Sequence, residues 1–176
     1  MDRMWAPWRK AYIRPSKNPG RGCLFCKVGR APVSRDAKNL ILKRSRLNFA
    51  ILNLYPYNNG HVMIVPNRHL DRIEKMTDAE KLDWLELYGE VLHAIEKTLR
   101  PHGFNAGINL GRLAGAGIPK HLHLHLVPRW KGDVNFMPVI ANTKVISESL
   151  TSVHKILSAE LRKSPSRGRQ KKRGFL

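Results

Sequence analysis

Three histidines alternate with leucines from His121 to Val127, and this segment constrains the fold more than any other. Successive side chains of a β-strand point to opposite faces of the sheet, so strict alternation predicts a strand with imidazoles on one face and leucines in the core. A lone histidine on a strand is usually a polar residue with a satisfied hydrogen bond, whereas three in alternation indicate a site that uses imidazole. Such a row suits either metal ligation or nucleophilic and acid–base chemistry near neutral pH.

The rest of the sequence predicts an α+β fold, in which an antiparallel sheet carries one long helix on a face. Thr77 and Glu80 have the spacing of a capping box, and the apolar residues after them recur at steps of three and four residues up to Leu99. Pro101 and Gly103 end this helix. The apolar residues that support the helix are Leu82, Leu85, Leu92, Ile95 and Leu99. Apolar runs bounded by turn signals predict further extended segments at Leu40–Leu42, Asn48–Leu52, His61–Val65 and Phe104–Leu110.

The charge divides the chain into a near-neutral middle and two basic ends. The net charge is +19 over 176 residues, and the segments up to Arg46 and from Arg162 onward carry almost all of it. We predict four parts, which are a basic N-terminal extension over 1–22, a catalytic domain over 23–150, a helical segment over 151–161 and a disordered basic tail over 162–176. The tail is either a solubilising end or an arm that binds a polyanion such as a nucleic acid.

The sequence favours a cytoplasmic protein without membrane spans. No apolar stretch approaches the roughly 20 residues that a membrane-spanning helix needs. The segment Met1–Lys10 carries two Trp, one Pro and several charges, where a secretion signal would need an apolar run. Cys23 and Cys26 cannot form a disulfide framework, and the spacing of this pair suits metal ligation or redox chemistry in a reducing compartment.

Two blocks of the sequence resemble a known family. His121–Val127 matches the His-φ-His-φ-His-φ-φ signature of the histidine triad family, and Gly60–His69 is similar to the second block of that family. The resemblance runs from about Cys23 to Trp130, with the two blocks in the family's order. The segments that resemble the bacterial branch related to diadenosine tetraphosphate phosphorylases are Met4–Arg9, Gly115–Pro119 and Pro128–Pro138.

The resemblance implies roles for the histidines. His123, the middle histidine of the triad, is expected to attack the α-phosphorus of a nucleotide and to carry the nucleotidyl group covalently. His125 is expected to donate to the α-phosphate oxygens, and His61 to approach the same site from the neighbouring strand. Asn53, eight positions before His61, is expected to hold the ribose hydroxyls. The alternative for Asn53 is an ordinary asparagine at a strand end.

The glycine-rich loop Gly111–Pro119 is the candidate phosphate-binding segment. Glycines let backbone amides approach an anion closely, and Asn109, Arg112 and Gly117 are the candidate contacts. The alternative is a plain connection between two strands. Family members that hydrolyse dinucleoside polyphosphates or phosphoramidates often carry Gln four residues before the first triad histidine, where this chain has Gly117. This departure favours orthophosphate over water as the acceptor.

Four residues resemble the structural zinc site of some family members. Two thiolates, Cys23 and Cys26, would combine with the imidazoles of His69 and His121 in a tetrahedral shell that suits Zn²⁺. Free cysteines, with His69 at the end of a strand, are the alternative, and a redox pair is a third possibility.

Three functions follow from these observations. The first is a nucleotidyl transferase, or phosphorylase, that acts on a diadenosine polyphosphate and passes the captured nucleotide to orthophosphate. The second is a nucleotide hydrolase or phosphoramidase, with the same intermediate and water as acceptor. The third, from a different class, is a nucleic-acid-binding protein that uses its basic ends. The resemblance also implies a homodimer.

Overall fold

The protein is built on a five-stranded antiparallel sheet in the order β1-β2-β3-β5-β4. It is a computed structural model that describes residues 22–133 and 148–163. The strands are β1 (Ile41–Arg44), β2 (Asn48–Leu52), β3 (Val62–Pro66), β4 (Gly103–Ile108) and β5 (Leu124–Arg129), and the helices are α1 (Leu24–Gly29), α2 (Asp78–Leu99) and α3 (Leu150–Lys163). The predicted α+β class, an antiparallel sheet with one long helix packed on it, is confirmed.

Both faces of the central strands are covered, which explains why β2 and β3 are apolar at every position but one. Helix α2 packs on β2 and β3, and α3 packs on α2 and on the edge strand β1. On the opposite face, Phe25 of α1 packs with Phe49 and Val65 in a second, smaller core. Helix α1 therefore brings the segment that contains both cysteines against the sheet.

Helix α2 begins at the capping box that the sequence predicts. The Thr77 hydroxyl accepts a hydrogen bond from the Glu80 amide at 3.2 Å, and the Glu80 carboxylate accepts one from the Thr77 amide at 2.7 Å. Hydrogen bonds from Arg68 hold the pKa of Glu80 at about 2, so this nearly buried carboxylate stays ionised. The helix ends with Arg100 in a left-handed conformation, one residue before Pro101.

The side of α2 that meets the sheet differs from the side that the leucine spacing suggests. Trp84, Leu87 and Val91 are buried, whereas Leu82 and Leu85 are 61% and 60% exposed. These two leucines supported the prediction of a helix, and the helix is confirmed, but they lie away from the core. Leu82 and Leu85 each lie two positions before a buried residue, Trp84 and Leu87, which is about 200° around the helix axis and so on the opposite side.

The predicted histidine strand is shorter in the structure. Strand β5 begins at Leu124, so His121 and His123 precede it and the predicted start is wrong by three residues. The reason is that this segment leaves the ladder with β3, and the Leu122 amide donates instead to the carbonyl of Leu70 at 2.6 Å. The alternation of side chains persists, because Leu122 and Leu126 are both in the core.

The ends of the chain are only partly described. The structure has α3 where a helical segment over 151–161 is predicted, and α3 runs to Lys163, two residues into the range predicted as tail. The rest of the basic extension and of the tail lies outside the described residues, so the division into four parts stays a prediction. In the part of the chain that is described, no helix has the length and apolar character needed to cross a bilayer.

Candidate active site and metal site

Three imidazoles from two distant parts of the sequence form one buried cluster. His61 lies just before β3 and His125 lies in β5, whose ladder with β3 brings these residues together. The His61 Nε2 and His125 Nδ1 atoms are 2.9 Å apart, and the ring centres of His123 and His125 are 4.8 Å apart. All three side chains are nearly buried, with 1% to 8% of their surface exposed. The structure thus brings together the three histidines that are predicted to be catalytic.

The hydrogen bonds of His123 determine which of its nitrogens carries the proton. Its Nδ1 is 2.8 Å from the carbonyl oxygen of His121. A carbonyl oxygen only accepts, so Nδ1 donates and the lone pair of the neutral ring is on Nε2. Desolvation by burial lowers the pKa of His123, which keeps the ring neutral at pH 7. A neutral imidazole with an unprotonated Nε2 is a nucleophile.

The proton positions on His61 and His125 follow from a backbone amide. The Tyr57 amide donates to Nδ1 of His61 at 3.0 Å, so the proton of the neutral His61 ring is on Nε2. That proton is donated to Nδ1 of His125, which leaves the His125 proton on Nε2. The cluster therefore combines a lone pair on His123 with an N–H donor on His125. This combination suits attack on a centre whose oxygen atoms gain negative charge.

Two asparagines predicted to bind nucleotide lie beside the cluster. Asn53 is buried, and its side-chain oxygen accepts from the Tyr55 amide at 3.0 Å, which directs its NH₂ group to His61 Nδ1 at 3.3 Å. The side-chain amide of Asn109 is 3.4 Å from Nε2 of His125, and with the proton on that nitrogen the amide oxygen is the group that accepts from it. Both residues are thus placed to contact a ligand that reaches the histidines, and Asn53 also supports the orientation of His61.

The backbone conformation of the glycine-rich loop explains why two of its positions are occupied by glycine. Gly111 and Gly115 have positive φ angles of 85° and 90°, which favour glycine. The amides of Gly115 and Ala116 donate to carbonyls within the loop, so these two amides are not directed at an anion. Arg112 and Gly117 are exposed, and no hydrogen bond among the described residues joins either to the histidine cluster. Their predicted role in phosphate binding stays a prediction.

Cys23, Cys26, His69 and His121 form a second cluster, the metal-ligand cluster. One donor atom from each lies within 4.8 Å of the other three. Sγ of Cys23 is 3.2 Å from Nδ1 of His121, and Sγ of Cys26 is 3.2 Å from Nδ1 of His69. Ligands of a tetrahedral Zn²⁺ ion are separated by about 3.6 Å, given bond lengths of about 2.1 Å to N and 2.3 Å to S. The cluster therefore has the donors and nearly the spacing of a zinc site.

The protonation of the metal-ligand cluster also fits a metal ion. Nε2 of His121 is 2.9 Å from the carbonyl oxygen of Pro66, so Nε2 donates to that oxygen. The lone pair of the ring is then on Nδ1, the nitrogen that faces the cysteines. Burial lowers the pKa of His121. Burial also raises the pKa of the Cys26 thiol, and the hydrogen bond with Cys23 and the charge of Cys23 raise the pKa of Cys26 further. A bound cation would relieve this repulsion between neighbouring thiolates.

Two aromatic residues contact the histidines and were not predicted from sequence. The Tyr57 ring stacks on His61 with centres 4.8 Å apart and an interplanar angle of 29°. The Phe25 ring packs against both His121 and His123 at 5.4 and 5.2 Å. Tyr57 lies in the turn between β2 and β3, and Phe25 lies between the two cysteines, but neither position carries a spacing signal that separates it from an ordinary apolar residue.

Comparison with known proteins identifies the family. The HIT domain family matches residues 34–132. An AP-4-A phosphorylase of Mycobacterium tuberculosis is 37% identical over 172 residues, which cover 94% of this chain and 87% of that protein. A bis(5'-nucleosyl)-tetraphosphatase (asymmetrical) of Schizosaccharomyces pombe is 36% identical over 93 residues, which cover 53% of this chain and 50% of that protein.

The same family appears among solved structures. The crystal structure of a Zn-bound histidine triad family protein from Mycobacterium smegmatis matches with a TM-score of 0.62 and 22% identity, over 81% of this chain and 94% of that one. The chain belongs to the HIT family of histidine triad proteins.

Proposed function

We propose that this protein is a nucleotidyl transferase that cleaves diadenosine polyphosphates through a nucleotidyl-histidine intermediate, with orthophosphate as the acceptor. The observation that carries the proposal is the lone pair on His123 Nε2, held beside the N–H group of His125 in a buried cluster. The relative from Mycobacterium tuberculosis, which aligns with nearly the whole chain, is named as an AP-4-A phosphorylase.

The reaction proceeds in two displacements. In the first, Nε2 of His123 forms a bond to the α-phosphorus while the bond to the bridging oxygen breaks, and the rest of the substrate leaves with that electron pair. In the second, an oxygen of orthophosphate attacks the same phosphorus and the P–N bond breaks, which returns the lone pair to His123 and yields ADP. The His121 carbonyl accepts from Nδ1 of His123 throughout, and this hydrogen bond strengthens as the ring becomes positively charged.

The neighbouring residues are assigned to binding. His125 donates from Nε2 to an α-phosphate oxygen. His61 donates to Nδ1 of His125, and this hydrogen bond keeps the proton of His125 on Nε2. Asn53 is assigned to the ribose hydroxyls and Asn109 to the phosphate, since both lie against the histidines. The family resemblance supports Arg112 and Gly117 as contacts of the phosphate chain.

Orthophosphate and water give different products from diadenosine tetraphosphate, and this difference tests the proposal. With phosphate present, the protein should form equal amounts of ADP and ATP, and without phosphate turnover should fall by about tenfold or more, since the intermediate then lacks its acceptor. Nucleotides are separated and quantified by anion-exchange chromatography. AMP as the product in both conditions would support the hydrolase alternative, which the name of the Schizosaccharomyces pombe relative favours.

A structural zinc ion is part of the proposal. Its ligands would be Cys23, Cys26, His69 and His121, which have the donor set and nearly the spacing that Zn²⁺ requires. The ion would supply a rigid cross-link between α1, the segment after β3 and the start of the triad, and the displacement steps would not pass through it. A cytoplasmic location fits this assignment, because thiol ligands are kept reduced there.

We also propose that the protein is a homodimer. Strand β4 lies at the edge of the sheet, and its residues 105–107 are exposed, so its outer backbone groups are open to pairing with a second strand. Light scattering should give a mass twice the 20.1 kDa of one chain. A mass of one chain at micromolar concentration would contradict the proposal. The basic ends behind the nucleic-acid alternative lie largely outside the described part of the chain, so this alternative stays a prediction.

A further inference from the structure

A network of hydrogen bonds around Asp133 holds the loop that precedes His61. The Asp133 carboxylate accepts from both Nε and Nη2 of Arg129, at 2.7 and 3.0 Å, and from the Trp130 amide at 3.1 Å. It also accepts from the NH₂ group of Asn58 at 2.7 Å. We call Asn58, Arg129 and Asp133 the loop clamp. The clamp joins the end of β5 to the turn between β2 and β3.

Further hydrogen bonds and a persistent charge stabilise the loop clamp. The Asp133 side chain is 10% exposed, and its hydrogen bonds with Arg129 hold its pKa at about 2, so it is an anion at neutral pH. Asn58 donates a second hydrogen bond to the carbonyl of Pro128 at 3.0 Å. Arg129 extends the network to β4, because its Nη1 donates to the side-chain oxygen of Asn105 at 2.7 Å. Strand β5 and the segment after it therefore hold the Asn58 side chain directly, and β4 supports them through Arg129.

Residue 57, the neighbour of Asn58, determines the proton positions in the histidine cluster. Its amide donates to Nδ1 of His61, and its ring stacks on the His61 ring. This hydrogen bond of 3.0 Å is shorter than the 3.3 Å contact of the Asn53 NH₂ group with the same nitrogen, and together they place a proton on Nε2 of His61, which keeps Nδ1 of His125 unprotonated and Nε2 protonated. If the loop moved by about 1 Å, the shorter of the two hydrogen bonds to Nδ1 would be lost, and the preference of His61 for this tautomer would weaken.

We propose that the loop clamp is a positioning device, which holds the amide of residue 57 against His61 and thereby keeps an N–H group on Nε2 of His125. Asn58, Arg129 and Asp133 do not touch the reacting atoms in this scheme, and they act only through the loop. The inference rests on the proposed function for its effect on rate, but the effect on the tautomers is independent of any substrate.

The experiment compares the full-length protein with Asn58→Ala and Asp133→Asn, each of which removes one side of the clamp. Loss of a hydrogen-bond donor to a developing oxyanion typically costs about 10²- to 10³-fold in kcat, so partial loss of the His125 donor should lower kcat by about tenfold, with KM changed less than about threefold. Long-range ¹H–¹⁵N spectra of histidine-labelled protein should show His61 and His125 protonated on Nε2 alone in the unaltered chain. Both variants should show a mixture of tautomers.

A matched control separates positioning from general stability. Asp36→Asn breaks a similar bidentate pair, in which Arg44 donates to Asp36 at 2.7 to 3.1 Å on the edge strand β1, at the far side of the sheet from β4. It should lower the thermal midpoint and leave kcat and both tautomers unchanged. Unchanged tautomers in the clamp variants, or a kcat within twofold of the parent chain, would overturn the inference. If the protein did not act on dinucleoside polyphosphates at all, the proposed function would fail while the nitrogen spectra would still decide the role of the clamp.

Discussion

Replacing His123 with alanine is expected to lower kcat by about ten-thousand-fold or more, because the variant has no atom that can form the bond to the α-phosphorus. His125 and His61 cannot substitute, since Nδ1 of His125 accepts from His61 and its other nitrogen carries the proton that the phosphate needs. Intact mass after brief mixing with diadenosine tetraphosphate should show one added nucleotidyl group on the parent chain and none on the variant. The modified peptide should contain His123.

The variant should fold, although His123 is not a surface residue. Its side chain is 4% exposed and its ring packs on Phe25, so truncation to alanine should cost about 1 to 3 kcal/mol of the free energy of unfolding. His123→Asn keeps more of the volume and should lose the same activity with a smaller change in thermal midpoint. His93→Ala, at an exposed position of α2, is the control and should retain full turnover. Substantial turnover by His123→Ala would remove this residue from the nucleophile's role.

Much of the fold could be predicted from short sequence patterns, because these patterns act between residues that are close together in the sequence. The alternation from His121 to Val127 determines which side chains enter the core, and the pair Thr77 and Glu80 caps a helix wherever that helix packs. Periodicity does not determine which side of a helix meets a sheet. Leu82 and Leu85 have helical spacing and are nevertheless exposed, since the sheet contacts the row that contains Trp84.

The parts that sequence reasoning missed depend on contacts across the fold. Strand β5 starts late because Leu122 pairs with Leu70, fifty-two residues earlier, and no local pattern encodes that hydrogen bond. The residue types of the candidate site could be predicted, since three histidines in alternation are specific. Their proton positions could not, because these follow from a carbonyl at His121 and from the amide of a turn that the tertiary structure presents to His61.

The two clusters of histidines are connected through one residue. His121 supplies Nδ1 to the metal-ligand cluster, and its backbone carbonyl accepts from Nδ1 of His123. The position of that carbonyl follows from the position of the His121 ring, which the cysteines and the Pro66 carbonyl hold. Without a metal ion, the two thiolates repel each other, and we expect the arrangement of the four ligands to loosen. We therefore expect the tautomer of His123, the proposed nucleophile, to depend on the metal-ligand cluster, which takes no part in the proposed displacement steps.

Removing the metal ion should consequently lower both stability and rate. Structural zinc contributes strongly to folding, and loss of even about 3 kcal/mol lowers the thermal midpoint of a chain of this size by about 10 °C. We expect one zinc ion per chain by atomic absorption, a fall of that size in calorimetry after treatment with a chelator, and recovery on adding Zn²⁺. The kcat should fall together with the midpoint, since His123 Nδ1 loses its oriented acceptor.

Cys26→Ser should reproduce both effects, and the chelator should then change neither any further. A chain that contains no zinc when prepared with Zn²⁺, or one whose midpoint is indifferent to the chelator, would show that the cysteines are free thiols and that the triad holds its geometry without a metal.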